Sequence, residues 1–156
     1  MSFEQRVAEL GCPVPDPPKP VATYEPSVQV GDLLFISGVI PIREGRPVFR
    51  GTLGRDLSGE EGYEAAQVAL LNALATIRHA AGSLDRVRRI VRMTGYVASH
   101  EGFVEQPAVI NGASDLLVRI FGESGRHARV AVGVVALPMG VPVELELIVQ
   151  LSPGVS

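Results

Sequence analysis

The sequence predicts an α+β fold, a mixed β-sheet with two helices packed on one face. Three observations lead there. Two long stretches repeat apolar residues at helical spacing, one opening at Ser58 and one near Pro107. Shorter runs rich in β-branched residues, Leu33 to Ser37, Val87 to Ser99 and Gly125 to Gln150, read as strands. Their order along the chain is ββ, a possible extra hairpin, α, β, α, ββ, with no fixed-period repeat and no interdomain linker. Residues 1–156 are therefore expected to form one domain.

Each element has a local cause. Ser2 to Leu10 places Phe3, Val7 and Leu10 on one side of a short helix, and Gly11 stops it. Cys12 to Pro20 holds five prolines, which excludes helix and central strand and predicts an extended surface arm. Residues 1–20 are thus an N-terminal helix and a proline-rich arm. Val28 and Val30 alternate before the Gly31-Asp32 turn, and the strand from Leu33 is expected to end at Gly38. Arg43 to Gly54 reads as a loop or irregular hairpin. Ser58 and Glu61 form a capping box, and Ala65, Val68, Ala69, Leu74 and Ile77 give an alanine-rich face suited to close packing on a sheet. Pro107 suits the first turn of the second helix, whose apolar face runs from Val109 to Phe121.

The 156 residues are enough for a substantial core, and 46% hydrophobic with 20% charged residues is a globular balance. The formal charge of −3 argues against a general nucleic-acid binder. The single cysteine, Cys12, excludes an internal disulfide framework and fits a reducing cytosol. The N-terminus lacks the basic head and apolar run of a signal peptide, and no apolar run is long enough to span a membrane.

The most chemical stretch is Gly125 to Gln150, read as two strands joined by a turn at Leu137 to Pro142. In the first strand Val130, Val132 and Val134 point one way, and Arg129, Ala131 and Gly133 the other. Arg129 thus stands beside two very small neighbours, expected on an open sheet face with Val39. On the second strand Glu144 and Glu146 alternate with Val143, Leu145 and Leu147. A guanidinium and a carboxylate on adjoining strands suit ligand binding, or they form a structural ion pair. The hairpin register decides whether Glu144 faces Arg129. His79, His100 and His127 have no metal-ligand spacing, so no metal site is expected; Cys12 has no partner histidine and Ser37 lacks a nucleophile-elbow motif, so neither is expected to be a nucleophile.

Ser37-Gly38-Val39-Ile40-Pro41, Val109-Ile110-Asn111-Gly112-Ala113, Ala128-Arg129-Val130-Ala131-Val132, Leu137-Pro138 and Val143-Glu144-Leu145-Glu146 resemble, in order, the reactive intermediate deaminase family. It is also called RidA or YjgF and was once labelled endoribonuclease L-PSP. The resemblance runs from about Tyr24 to Leu151. It implies a chorismate-mutase-like fold, a homotrimer with clefts between subunits, and cofactor-free hydrolysis of small 2-imino acids or enamines to 2-oxo acids and ammonia. It also implies that Arg129 grips the substrate carboxylate and Glu144 helps hold the attacking water. Tyr24, Ser37, Gly38 and Asn111 match cleft positions. The family's usual cysteine is Ala131 here, its frequent glutamine is Val39, and its frequent acid two positions beyond the cysteine is Gly133.

Three function classes follow: an imine or enamine deaminase, a non-catalytic trimer that binds a small carboxylate, and a ribonuclease. The last is the weakest. Arg86, Arg88, Arg89 and Arg92 alternate around a strand, and 5% aromatic residues offer few stacking platforms.

Overall fold

The computed structural model describes residues 1–19 and 22–154; the expectation for the end of the arm at Pro20 and Val21 lies outside the described residues. Helices form at α1 (Phe3–Glu9), α2 (Gly59–Ala81) and α3 (Gln106–Phe121). Strands form at β1 (Ser27–Val30), β2 (Leu33–Val39), β3 (Ile42–Arg43), β4 (Arg46–Pro47), β5 (Val87–Ala98), β6 (Ala128–Val134) and β7 (Val143–Leu151). The main sheet has the order β1-β2-β7-β5-β6. Neighbours run antiparallel except β5 and β6, which are parallel.

The local signals produced the helices they predict. Ser58 accepts from the Glu61 amide while Glu61 reaches back to the Ser58 amide, so both orphan donors are satisfied. Gly82 ends α2 at φ 84°, a left-handed position suited to glycine. Pro107 lies in the first turn of α3. The Ala65, Ala66, Ala69 and Ala73 stripe of α2 is fully buried beneath α3 and β7. α1 is tied down at both ends of its first turn. Asp85 Oδ1 accepts from the Phe3 and Glu4 amides at 2.6 and 3.2 Å, and Glu4 takes the Arg78 guanidinium and the Leu84 amide. Of the loop or irregular hairpin expected over Arg43 to Gly54, the start is a short hairpin, β3–β4, with Glu44 and Gly45 at φ 52° and 76° in its two-residue turn.

Three expectations are corrected. First, β6 and β7 are not a hairpin, because β5 lies between them. The β5–α3–β6 segment is a crossover that sets β6 parallel to β5 on its outer edge, and the stretch from Val135 to Pro142 then passes the end of β5. Arg129 and Glu144 are therefore not on adjoining strands.

Second, Arg129, Ala131, Gly133 and Val39 do not lie on the open face. Ala131 and Val39 pack against the core cluster. A Cβ on Gly133 would meet the Gln106 amide nitrogen at 2.8 Å and Ser99 Oγ at 3.1 Å. Gly133 is small because Gln106 of α3 and Ser99 approach it closely. The open face is built instead from Val28, Val30, Phe35, Arg92, Thr94, Tyr96, Val130, Val132 and the β7 residues Glu144, Glu146 and Ile148, whose registers coincide.

Third, Gly38 does not end β2. The pairing shifts between Ile36–Leu147 and Val39–Leu145, so Ser37 and Gly38 form a bulge and the strand continues to Val39. On the other side of the sheet, Val143, Leu145, Leu147 and Val149 are buried under the helices, as their alternation predicts. No helix among the described residues is long and apolar enough to cross a membrane.

Candidate functional site

The expected site residues separate into two groups. Arg129 and Asn111 meet on the helix side of the β6 edge. Tyr24, Ser37, Gly38 and Glu144 gather near the β2 bulge. With β5 intervening, a single chain does not bring Arg129 and Glu144 together.

The arginine group arises from helix periodicity. Pro107, Asn111 and Ser114 lie at i, i+4 and i+7 on α3, one stripe facing β6. Arg129 Nη1 donates to Asn111 Oδ1 at 2.8 Å and to Ser114 Oγ at 3.1 Å, and Nη2 reaches the Pro107 carbonyl at 3.4 Å. All three acceptors are neutral. Among the described residues the ion pairs are Arg55–Asp56, Arg78–Glu4 and Arg126–Glu123, so Arg129 is not in the structural ion pair that was its alternative reading. Its Nε–H and remaining Nη2–H have no acceptor among the described residues. They form a planar fork of the kind that matches a carboxylate. Asn111 is exposed beside it, and Ala131 sits two residues along the strand.

Sequence reasoning missed Ser114, and for His127, two residues before Arg129, it weighed a place in the cleft against a surface or core position and favoured the latter. His127 Nδ1 lies 2.6 Å from the Gly125 carbonyl and its Nε2 lies 3.0 Å from Ser114 Oγ. The signal for Ser114 was present, since it shares the helical stripe of Asn111.

The second group is positioned by the bulge. Ser37 donates from Oγ to the Glu25 carbonyl at 2.6 Å, and its amide donates to the Pro26 carbonyl at 3.0 Å. Its hydroxyl is therefore oriented, with oxygen lone pairs left to accept. A Cβ on Gly38 would overlap Glu144 Oε1, so glycine leaves the space that this carboxylate occupies. Glu144 is half-buried, and burial pushes its carboxyl above the usual range, with the Glu146 charge adding to the rise. Glu146 is occupied, accepting from Tyr96 Oη at 2.9 Å. Tyr24, 51% exposed, lines a cavity of about 780 Å³ together with Ser37, Gly38, Leu71 and the prolines Pro13 and Pro15 of the arm.

Such a pair of half-sites, one cationic and one carrying a desolvated carboxylate, suits a small anion and a water-dependent step. Comparison with known proteins agrees with the residue pattern. The profile of the YjgF/chorismate mutase-like, putative endoribonuclease family matches residues 4–151. The chain belongs to the YjgF family. Among its relatives, protein TCP17 of Trypanosoma cruzi is 41% identical over 144 residues, 92% of this chain and 90% of that one. The solved structure of a putative endoribonuclease from Shewanella oneidensis superposes with a TM-score of 0.94 at 36% identity, covering 97% of this chain and all of the other. A protein of unknown function from Agrobacterium tumefaciens gives 0.90 at 40% identity, covering 96% and 92%. E. coli TdcF, solved with bound serine, shares the YjgF fold at 23% identity and a TM-score of 0.65, covering 87% and 94%. The α+β, chorismate-mutase-like architecture expected from the sequence is thus the one found.

Proposed function

We propose that this protein hydrolyses small 2-imino acids, or their enamine tautomers, to 2-oxo acids and ammonia, in clefts between the subunits of a cytosolic homotrimer. The observation that carries this reading is the Arg129 guanidinium, held by neutral oxygens with one donor edge left over. A substrate carboxylate would take that edge in two charge-assisted hydrogen bonds. The neighbouring subunit would supply Tyr24, Ser37, Gly38 and Glu144, because no single chain unites them with Arg129. Apolar residues on the open sheet face support assembly: Val28, Val30, Phe35 and Val132 are 54, 63, 42 and 39% exposed.

In the reaction a water attacks C2 of the protonated imine and gives its proton to Glu144. Glu144 then returns that proton to the nitrogen of the carbinolamine and takes the hydroxyl proton as the C–N bond breaks, giving the ketone, and the departing ammonia carries the remaining proton away as ammonium. Electrons balance without a redox partner, so the chemistry calls for no cofactor. A half-buried carboxylate with a raised proton affinity is suited to accept and return that proton. Positioning supplies much of the remaining rate.

A non-catalytic carboxylate-binding trimer is the second reading. Ala131, in place of the family's usual cysteine, favours it, because it offers no polar group beside Arg129. A ribonuclease has less support, given the net charge of −3 and scarce aromatics. The deciding experiment generates imines with an amino-acid oxidase and asks whether the protein diverts them from semicarbazide. Binding of 2-oxo acids without any diversion favours the second reading.

A further inference from the structure

Arg129 sits at the end of a directed hydrogen-bond chain whose other end is a carbonyl. The Gly125 carbonyl can only accept, so His127 Nδ1, 2.6 Å away, carries a proton. In the neutral ring Nε2 is then an acceptor, and the Ser114 hydroxyl 3.0 Å away must donate to it. With its proton committed, Ser114 Oγ presents lone pairs to Arg129 Nη1 at 3.1 Å. With the ring neutral, every link has one direction.

We propose that His127 and Ser114 are positioning residues for Arg129, aiming its free Nε–Nη2 edge at the ligand carboxylate. The inference rests on the reading of Arg129 as the carboxylate grip.

The surroundings favour the neutral ring that the chain needs. His127 is more than half buried, which lowers its proton affinity, and the adjacent Arg129 charge acts in the same direction against the Gly125 hydrogen bond. On α3, packed against it, the contacting group is the neutral Ser114, and the acid next in sequence, Asp115, accepts from Tyr63 Oη instead. In the turn before β6, Glu123 is paired with Arg126. No carboxylate is left to hold a charged imidazolium there among these groups. The side-chain carbonyl of Asn111 restrains Nη1 from a second direction, so Asn111 and Ser114 together use both N–H groups of Nη1. Removing Ser114 or His127 would free one of them and let the guanidinium rotate about its stem.

Affinities for 2-oxobutanoate and for its amide, which lacks the carboxylate, are measured by calorimetry on wild type, S114A, H127A, H127Q, the S114A/H127A double variant and R129A. The inference expects S114A and H127A each to weaken 2-oxobutanoate binding by about tenfold while leaving the amide unchanged. The double variant should be no worse than either single, because the two residues act in series. H127Q should recover most of the affinity, since its amide oxygen can accept from Ser114. Should H127A fail to fold, S114A and H127Q still decide. If R129A binds 2-oxobutanoate like wild type, the carboxylate-grip reading itself fails. If R129A loses binding but S114A and H127A keep it, or if their losses add in the double variant, the positioning chain is wrong and the grip stands.

Discussion

Arg129 donates to Asn111 Oδ1 at 2.8 Å across the β6–α3 boundary, so the position of the guanidinium depends on an amide from the preceding helix. A hydrogen bond to a charged group contributes about 1.5–3 kcal/mol, less where solvent competes. Asn111 is exposed, and N111A is expected to weaken 2-oxo acid binding by roughly tenfold, near the low end of that range. Its melting temperature should barely move. Calorimetry and thermal unfolding on one preparation check both halves.

Gly38 provides a second handle on the site. A methyl there would overlap Glu144 Oε1, the far end of a side chain that can swing away. G38A is therefore expected to fold with near wild-type stability and to lose most imine hydrolysis, because the carboxylate has moved. A variant that melts well below wild type would mean that the bulge, not the carboxylate, needs the glycine.

Much of the fold was legible because its signals are local. The Ser58–Glu61 capping box, the glycine after α2 and the Pro107 start of α3 are short-range chemistry, and they formed as written. The alternation of β6 was also read correctly. It names two faces but cannot say which one a helix will cover, and Arg129 turned out to face α3. The supposed hairpin failed for a related reason. Insertion of β5 between β6 and β7 is fixed by a crossover, and no residue in the intervening stretch reports a strand from elsewhere in the chain. Likewise, the separation of Arg129 from Glu144 is a fact of strand order.

Glu144 predicts a pH signature. Its proton affinity is raised in the folded chain, so between the ordinary carboxylate pKa and the higher folded value the native state binds more protons than the unfolded one. Stability contributed by this group accordingly falls as pH rises through that window, and its ionised form is a cost at neutral pH. E144Q should raise the melting temperature at pH 7, with the gain shrinking as pH drops through the window. The same variant should lose hydrolysis and the acid limb of the wild-type activity profile. Equal melting at pH 7 together with full activity would remove Glu144 from the mechanism.

Assembly is tested on the open sheet face. Light scattering in dilute neutral buffer is expected to give three times the chain mass of 16.6 kDa. A charge introduced by F35E or V132E, at residues already 42 and 39% exposed in one chain, should split the trimer and abolish hydrolysis together. A wild-type monomer would exclude clefts shared between subunits.

The most direct measurement is imine diversion by wild type, R129A and R129K, with the assembly mass recorded for each. Loss of the guanidinium should cost about 2–5 kcal/mol of carboxylate binding if the ligand charge is left without its partner. R129A should therefore divert no imine from semicarbazide while remaining assembled. R129K should recover little, because an ammonium lacks the planar fork. An assembled R129A that hydrolyses imines as fast as wild type would contradict the account.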